Sequence, residues 1–297
     1  MHGIGIALVC ATAITACGSD TTTVTATTTT TATNATTTVA DASTTTKAAP
    51  TTTLATALKS AKWASGVTVT VSSGFITYAS NGIPNHSRPE KYALPNDGVM
   101  IPTAATAHAQ SDPTVAQTYS FKISTTPRNA SSPTSSSLGT IGFMISGAAL
   151  FNPYEGDGST VATASNFTVE DSDGNTWAFL DDCNGHPNPM GAYHYHALPP
   201  CVTSQVDTAG GPSHIIGVAF DGYPIYGDRD LDGTQITASQ LDSCGGITSA
   251  TPEFPNGTYH YVLLQSTDAT SSIRCFTGTV DASLTSMQGM PGGMPPG

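Results

Sequence analysis

The sequence predicts an all-β domain, stapled by disulfide bonds and β-sandwich-like, that contains two tandem repeats. From Trp63 onwards, short runs of alternating apolar and polar residues are separated by Gly-, Ser- and Asp-containing turns, a pattern typical of strands. No window has a helical period of useful length, although 54–63 and 237–242 could each hold a helical turn or two. Two segments, 141–201 and 216–275, carry the same landmarks in the same order, which indicates repeats of about sixty residues.

Composition narrows the class of protein. The chain has 297 residues, a formal net charge of -12 and only 10% charged residues. A nucleic-acid-binding protein needs a basic face, so we expect no nucleic-acid partner. A low charge content with many Gly, Thr and Ser residues suits a turn-rich protein outside the cytoplasm.

The N-terminal segment predicts export and lipidation. Residues 3–16 form an apolar run that is too short to span a bilayer and is typical of a signal-peptide core. The sequence Ile-Thr-Ala-Cys that ends at Cys17 resembles the processing site of bacterial lipoproteins, although no Lys or Arg precedes the apolar run. We therefore expect a signal peptide at 1–17, a lipid on Cys17, and a protein in the cell envelope that meets the membrane through this lipid only.

Two further segments differ in composition from the domain between them. Residues 18–62 are rich in Thr and Ala, and residues 281–297 in Met, Gly and Pro. Neither can bury enough apolar surface to offset the entropy of ordering, so we expect a flexible spacer and a disordered tail. The folded domain is predicted at 63–280.

The positions of the cysteines match the two repeats. Cys10 leaves with the leader and Cys17 is taken by the lipid, so four remain. These are Cys183, Cys201, Cys244 and Cys275. An even number in an exported protein indicates disulfides. Because each repeat encloses its own pair, we predict the local pairing, Cys183 with Cys201 and Cys244 with Cys275.

The first repeat holds a histidine-rich motif. Its run Tyr-His-Tyr-His ends at His196, and on a strand the side chains of His194 and His196 would share one face, about 6–7 Å apart. His186 lies in the same short segment. Imidazole is a common ligand of transition metals, so these three residues are candidate ligands for copper or zinc. The alternative is a disulfide-closed hairpin whose rings simply pack.

The second repeat lacks part of this motif. His194 is matched by His260, but His186 is matched by Ile247 and His196 by Val262. The shared Tyr-His-Tyr is therefore expected to be mainly architectural, and a buried, hydrogen-bonded role is expected for His260. The reserve ligands are His86, His214 and His260.

Several carboxylates could assist a metal site. Asp182 and Asp221 lie near histidines in the sequence and could orient an imidazole. Asp228, Asp230 and Asp232 alternate before a glycine, as in the first half of a calcium loop, although Ser239 stands where such a loop has its acidic twelfth residue. An acidic surface turn is the alternative for these three residues.

At these residues the chain resembles the YHYH-domain family, named after the motif at Tyr193–His196. The segments Gly82–His86 and Phe220–Gly227 also resemble the family pattern, and the resemblance covers roughly Val67–Gly278. It implies an exported bacterial protein of modular construction. It implies no particular mechanism.

Three functions remain open at this point. The first is binding of copper or zinc through the histidine cluster. The second is a non-catalytic adhesion or glycan-binding module, with the partner unidentified, and its exposed aromatic residues would be Tyr193, Tyr223, Tyr226 and Tyr259. The third is a metal-dependent oxidase or hydrolase, which needs an open coordination position. The chain has no serine-nucleophile elbow, phosphate loop or dinucleotide fingerprint, so we assign no catalytic residue; the sequence leans towards a protein that is not an enzyme but leaves the question open.

Overall fold

A computed structural model describes residues 52–96, 99 and 101–286 of the chain. The predicted signal peptide, the lipidation site Cys17, the spacer as far as residue 51 and the tail from residue 287 lie outside the described residues. Among the described helices, none has both the length and the apolar character needed to cross a bilayer.

Strands are the main regular secondary structure of the described part, and helices are few and short. The strands are β1 (Thr68–Ser72), β2 (Phe75–Ser80), β3 (Lys91–Pro95), β4 (Ala107–Ser111), β5 (Tyr119–Ser124), β6 (Asn129–Ser135), β7 (Thr140–Met144), β8 (Ala149–Phe151), β9 (Thr168–Glu170), β10 (Thr176–Ala178), β11 (Gly185–Pro187), β12 (Tyr193–Tyr195), β13 (Ile215–Ala219), β14 (Pro224–Tyr226), β15 (Gly246–Ser249), β16 (Thr258–Val262) and β17 (Cys275–Gly278). The helices are α1 (Leu54–Ser60), α2 (Pro200–Thr203) and α3 (Ala282–Ser286), with 3₁₀ turns at Ala238–Gln240 and Ala269–Ser271. The predicted all-β class is confirmed.

One eight-stranded sheet organises the domain, and its strand order is β11-β12-β8-β7-β13-β14-β16-β15. Its central strands β7 and β13 are buried along their whole length, as expected of strands covered on both faces. A three-stranded sheet of order β1-β2-β5 packs on it. The rings of Tyr78 and Phe121 lie 6.0 and 5.6 Å from that of Phe143, centroid to centroid. The core therefore lies between two sheets.

The two halves of the large sheet pair their strands in the same way. In the first half β7 pairs antiparallel with β8, β8 parallel with β12, and β12 antiparallel with β11. In the second half β13, β14, β16 and β15 follow the same sequence of antiparallel, parallel and antiparallel pairs. The halves meet through the antiparallel pair β7 and β13. The predicted duplication remains an interpretation of the sequence, and the strand pairing agrees with it.

The same polar turn begins the hairpin β11–β12 and the hairpin β15–β16. Asp181 accepts hydrogen bonds from the backbone N–H groups of Cys183 and Gly185 and from the hydroxyl of Tyr193. Asp242 accepts the equivalent bonds from Cys244, Gly246 and Tyr259. A Cβ at Gly185 or Gly246 would collide with the tyrosine hydroxyl, so both positions require glycine. In each turn, one aspartate thus holds both the backbone of a cysteine and the hydroxyl of a tyrosine.

Both disulfides have the predicted local pairing. Cys183 bonds Cys201 with Cα atoms 5.4 Å apart, and Cys244 bonds Cys275 with Cα atoms 4.6 Å apart. The first ties the start of β11 to helix α2, and the second ties the turn before β15 to β17.

The packed domain extends beyond the boundaries expected at 63 and 280. Leu58 of α1 is fully buried and belongs to the main core, although it falls in the segment predicted as a spacer. Leu284 of α3 is also buried in that core, although it falls in the segment predicted as a tail. Burial is predicted from apolar residues that recur at a regular spacing. A single apolar side chain in a polar stretch has no such spacing, so its packing cannot be predicted from the sequence.

We expect the Cys244→Ser/Cys275→Ser double variant to lose about 3–4 kcal/mol of unfolding free energy, because this disulfide closes the longer loop, with a sequence separation of 31. Urea unfolding of the oxidised protein measures this loss. Wild-type protein unfolded under reducing conditions, where both disulfides are broken, should be at least as unstable as the variant. An oxidised variant as stable as the wild type would contradict the expected contribution.

Candidate metal centre

Three buried histidines converge on one face of the first half-sheet. His186 on β11 lies directly across from His194 on β12, and His196 follows β12 on the same face. The ring centroids are 4.7, 5.3 and 4.8 Å apart for the pairs 186–194, 186–196 and 194–196. One ring nitrogen from each residue lies within 4.8 Å of the others. The structure thus brings together the three histidines that the spacing predicts.

Backbone carbonyls fix the tautomer of two of these rings. Nδ1 of His194 lies 3.0 Å from the carbonyl oxygen of Ala192, and Nδ1 of His196 lies 2.7 Å from that of Asn152. A carbonyl oxygen only accepts, so each Nδ1 carries the hydrogen and each Nε2 presents a lone pair. Orienting the second nitrogen in this way is what a metal-ligating imidazole requires.

The cluster is held in its neutral form. All three residues are at most 4% exposed. Burial lowers the pKa of His186 and His194 well below the ordinary value, and the neighbouring imidazoles lower both pKa values further. Burial also lowers the pKa of His196, to about 4, against the opposing effect of its bond to Asn152. Neutral imidazoles can bind a metal ion without first losing a proton.

Two nitrogens of the cluster have no hydrogen-bond partner among the described residues. They are Nδ1 of His186 and Nε2 of His196. Buried polar atoms usually find a partner, and each one that does not calls for an explanation. A bound cation between the rings would satisfy both lone pairs, so the residues fit a metal ion.

Glu155 lies next to the cluster, and the sequence reasoning missed it. It is 9% exposed, and its Oε1 lies 3.8 Å from Nε2 of His196. Burial, followed by the charge of Asp157, raises the pKa of Glu155 to about 8. Glu155 comes near the histidines because β8, which ends at Phe151, lies beside β12 as a parallel neighbour. No spacing rule in the sequence indicates that pairing.

The second half-sheet has an apolar cluster in the corresponding place. Ile247 lies directly across from His260, as His186 does from His194. Ile247 packs against a small hydrophobic cluster that contains Val262, the residue matching His196. His260 itself is buried and its Nδ1 donates to the carbonyl of Thr258. The fold therefore accommodates hydrocarbon at two of the positions where the first half has imidazole.

The other reserve ligands lie outside the cluster. Nε2 of His86 lies 2.7 Å from the Tyr195 hydroxyl, on the tyrosine side of β12. His86 could form a metal group with Cys183 and Cys201, but those two sulfurs are joined in a disulfide. His214 pairs with Glu253, with Nδ1 and Oε1 2.9 Å apart, in the other half of the domain.

The two aspartates expected to orient imidazoles do not take that position. Asp182 is exposed, and its neighbour Asp181 points inward to Tyr193 instead. Asp221 is buried, but it accepts hydrogen bonds from the Tyr261 hydroxyl and from the N–H of Gly278. Burial raises the pKa of Asp221 to about 6. Backbone carbonyls orient the imidazoles, and a sequence gives no indication of which carbonyl that will be.

The acidic turn does not form the expected calcium loop. Asp230 accepts hydrogen bonds from the N–H groups of Asp232 and Thr234, and Asp228 accepts one from the side chain of Gln235. Within the described residues, two groups of three or more potential metal ligands occur, and neither contains these aspartates. The carboxylates of Asp230 and Asp232 contact each other, but Asp228 bonds Gln235 instead, so the three do not form one group of ligands.

The aromatic residues proposed as a glycan-binding surface are not exposed. Tyr193, Tyr226 and Tyr223 are 0%, 2% and 9% exposed, and Tyr259 is half-buried. Their hydroxyls donate to Asp181, Glu253, Asn129 and Asp242 respectively. Cross-strand packing hides these rings, so the prediction of an aromatic binding surface is wrong.

The cluster lies inside the protein, since its three histidines are at most 4% exposed. One surface hollow of about 340 Å³ is bordered by Ile101 and Phe167, and another of about 190 Å³ by Asn184 and Gln265. None of the three histidines lines either hollow.

Comparison with protein families assigns the chain to a family. The model of the family described as YHYH protein matches residues 120–237 and 228–278, together more than half of the chain. The chain belongs to this family. A search of curated proteins gave no match. A search of solved structures gave none either.

We expect the metal-free protein to lose stability as the pH falls from about 6.5 to about 4. In that pH range a histidine in the unfolded chain is protonated, whereas buried His196 in the folded protein stays neutral. Lowering the pH therefore favours the unfolded chain. His196→Phe should therefore lose less stability than the wild type between pH 7 and pH 4, by up to about 3 kcal/mol.

Urea unfolding at the two pH values measures this difference for each protein. The pH-independent cost of the substitution cancels, as does the opposing contribution of Asp221, whose pKa is raised. Equal losses in wild type and variant would show that His196 titrates as an ordinary histidine.

Proposed function

We propose that this YHYH-family protein binds one transition-metal ion, zinc or copper, through His186, His194 and His196. The proposal extends to a protein of the cell envelope, held at the membrane by a lipid on Cys17 and separated from it by the Thr/Ala-rich segment. The location and the anchor are supported by sequence patterns alone.

The contrast between the two half-sheets carries the metal proposal. Both halves need the Tyr-His-Tyr strand, the aspartate turn and the disulfide. Two of the three clustered imidazoles occur in one half only, and the other half has Ile247 and Val262 at the matching positions. Burying polar rings in place of hydrocarbon costs stability unless a partner compensates. A metal ion is the partner that accounts for lone pairs facing one another.

The donor set restricts the ion. Imidazole nitrogen suits zinc, copper, iron and nickel, whereas calcium and magnesium prefer oxygen. Tetrahedral zinc, with Zn–N bonds of about 2.0–2.1 Å, holds its ligand atoms about 3.3 Å apart. The three nitrogens now lie within 4.8 Å of one another, so small rotations of the rings are enough to enclose an ion.

Retention or delivery of the ion is the role that fits a closed cluster. A hydrolase or oxidase would need an open coordination position that a substrate can reach. An adhesion module would need exposed binding residues, and its candidate tyrosines are buried or half-buried. We therefore propose neither as the main function.

Purified wild-type protein should contain about one equivalent of zinc or copper, or take it up when metal-free. The His194→Ala/His196→Ala variant should bind at least about 100-fold more weakly, because two of three nitrogen ligands are gone. Elemental analysis and competition with a chromophoric chelator measure these quantities.

His260→Ala is the matched control, because His260 occupies the position of His194 in the other half and also donates from Nδ1 to a carbonyl. It should bind metal as the wild type does. Absence of stoichiometric metal from the wild type, or equal binding by the double variant, would refute the proposed function.

A further inference from the structure

Glu155 is a buried acidic side chain, and the described residues around it offer no group that would stabilise its ionised form. Its Oε1 has no hydrogen-bond partner among the described residues. The nearby ionic group that acts on it is Asp157, which has the same sign. The one described side chain within ion-pair distance is His196, a ring that burial keeps neutral. Burying an ionised carboxylate without a cation or a hydrogen-bond donor costs free energy. The position of Glu155 beside the cluster therefore needs an explanation.

The loop that carries Glu155 is held firmly in place. The N–H of Glu155 donates to the carbonyl of Thr160, at 2.8 Å, and Tyr154 forms a β-bridge with Val161. Asp157 closes the turn by accepting hydrogen bonds from the N–H groups of Ser159 and Thr160. The buried position of the carboxylate is therefore built into the fold.

Asn152 links this loop to the cluster. Its side-chain amide donates to the carbonyls of Ser136 and Ser137, and its Oδ1 accepts from the N–H of Tyr154. Its own carbonyl accepts the hydrogen of His196 Nδ1. One residue thus orients both an imidazole of the cluster and the segment that presents Glu155.

A divalent ion on three neutral imidazoles would leave a double positive charge in a buried site. An ionised carboxylate in contact with the ion lowers that charge to one and also gains the cation that Glu155 lacks. The distance of 3.8 Å between Glu155 Oε1 and His196 Nε2 is close to the separation of about 3.3 Å between neighbouring ligands of a tetrahedral metal ion.

On the premise of the proposed function, we propose that Glu155 is the fourth ligand, so that the centre consists of three histidines and one glutamate. Three nitrogens and one oxygen, with no sulfur, favour zinc or cupric copper over cuprous copper. Four protein ligands also close the coordination sphere, as in sites that hold a metal ion rather than activate water.

The Glu155→Gln variant tests this assignment. Its affinity for zinc should fall at least about ten-fold, since an oxygen ligand loses its charge. The visible absorption of the cobalt(II)-substituted protein should change in band position or intensity, because this spectrum reports the ligands directly. Glu155→Asp keeps the charge but shortens the side chain, and its affinity should lie between those of the wild type and Glu155→Gln.

Glu253→Gln is the matched control. It removes a carboxylate next to a different imidazole, that of His214, in the other half of the domain. It should leave both the zinc affinity and the cobalt spectrum unchanged, so any general effect of losing a partly buried carboxylate is accounted for.

The outcomes separate the two proposals. If the wild type binds zinc and Glu155→Gln matches it in affinity and cobalt spectrum, the assignment of Glu155 is overturned and the three-histidine site stands. If the wild type binds neither zinc nor copper, the proposed function fails and the assignment fails with it. A weaker affinity with an altered spectrum supports Glu155 as a ligand.

Discussion

Strand β12 is buried on both faces, and the site depends on that constraint. Each polar atom of its tyrosines and histidines must find a partner inside the protein or lose its hydrogen bonds to water. On one face the hydroxyls of Tyr193 and Tyr195 donate to Asp181 and Ser146. On the other face, backbone carbonyls satisfy one nitrogen of His194 and one of His196. Nδ1 of His186 and Nε2 of His196 remain without a hydrogen-bond partner among the described residues, and a cation between the rings would give them one.

The second half of the large sheet shows what the fold needs without that cation. Tyr259 and Tyr261 repeat the perpendicular ring contact of Tyr193 and Tyr195, at centroid distances of 5.5 and 5.2 Å. The tyrosine face is therefore architectural. On the opposite face the second half is largely apolar, with His260 bonded to a carbonyl and edge-on to the ring of Tyr226. The difference between the halves separates the residues that build the sheet from those that we assign to the metal.

Much of the site follows from local sequence rules, and the remainder depends on pairing between distant strands. The period of a strand places His194 and His196 on one face, and the order of cysteines gives the disulfides. The parallel contact of β8 with β12 is not encoded in a local pattern, so the position of Glu155 beside His196 could not be predicted. The same holds for the acidic residues. Asp182 and the turn at Asp228–Asp232 have the composition of metal-site carboxylates, but burial and side-chain direction decide which carboxylate faces inward.

Anomalous diffraction from crystals of the metal-loaded protein, recorded on both sides of the zinc or copper absorption edge, tests the central claim most directly. The account predicts one strong peak about 2.0–2.2 Å from a ring nitrogen of each of His186, His194 and His196. A peak at His86 or His214 instead, or no peak among the three rings in crystals saturated with metal, would contradict it.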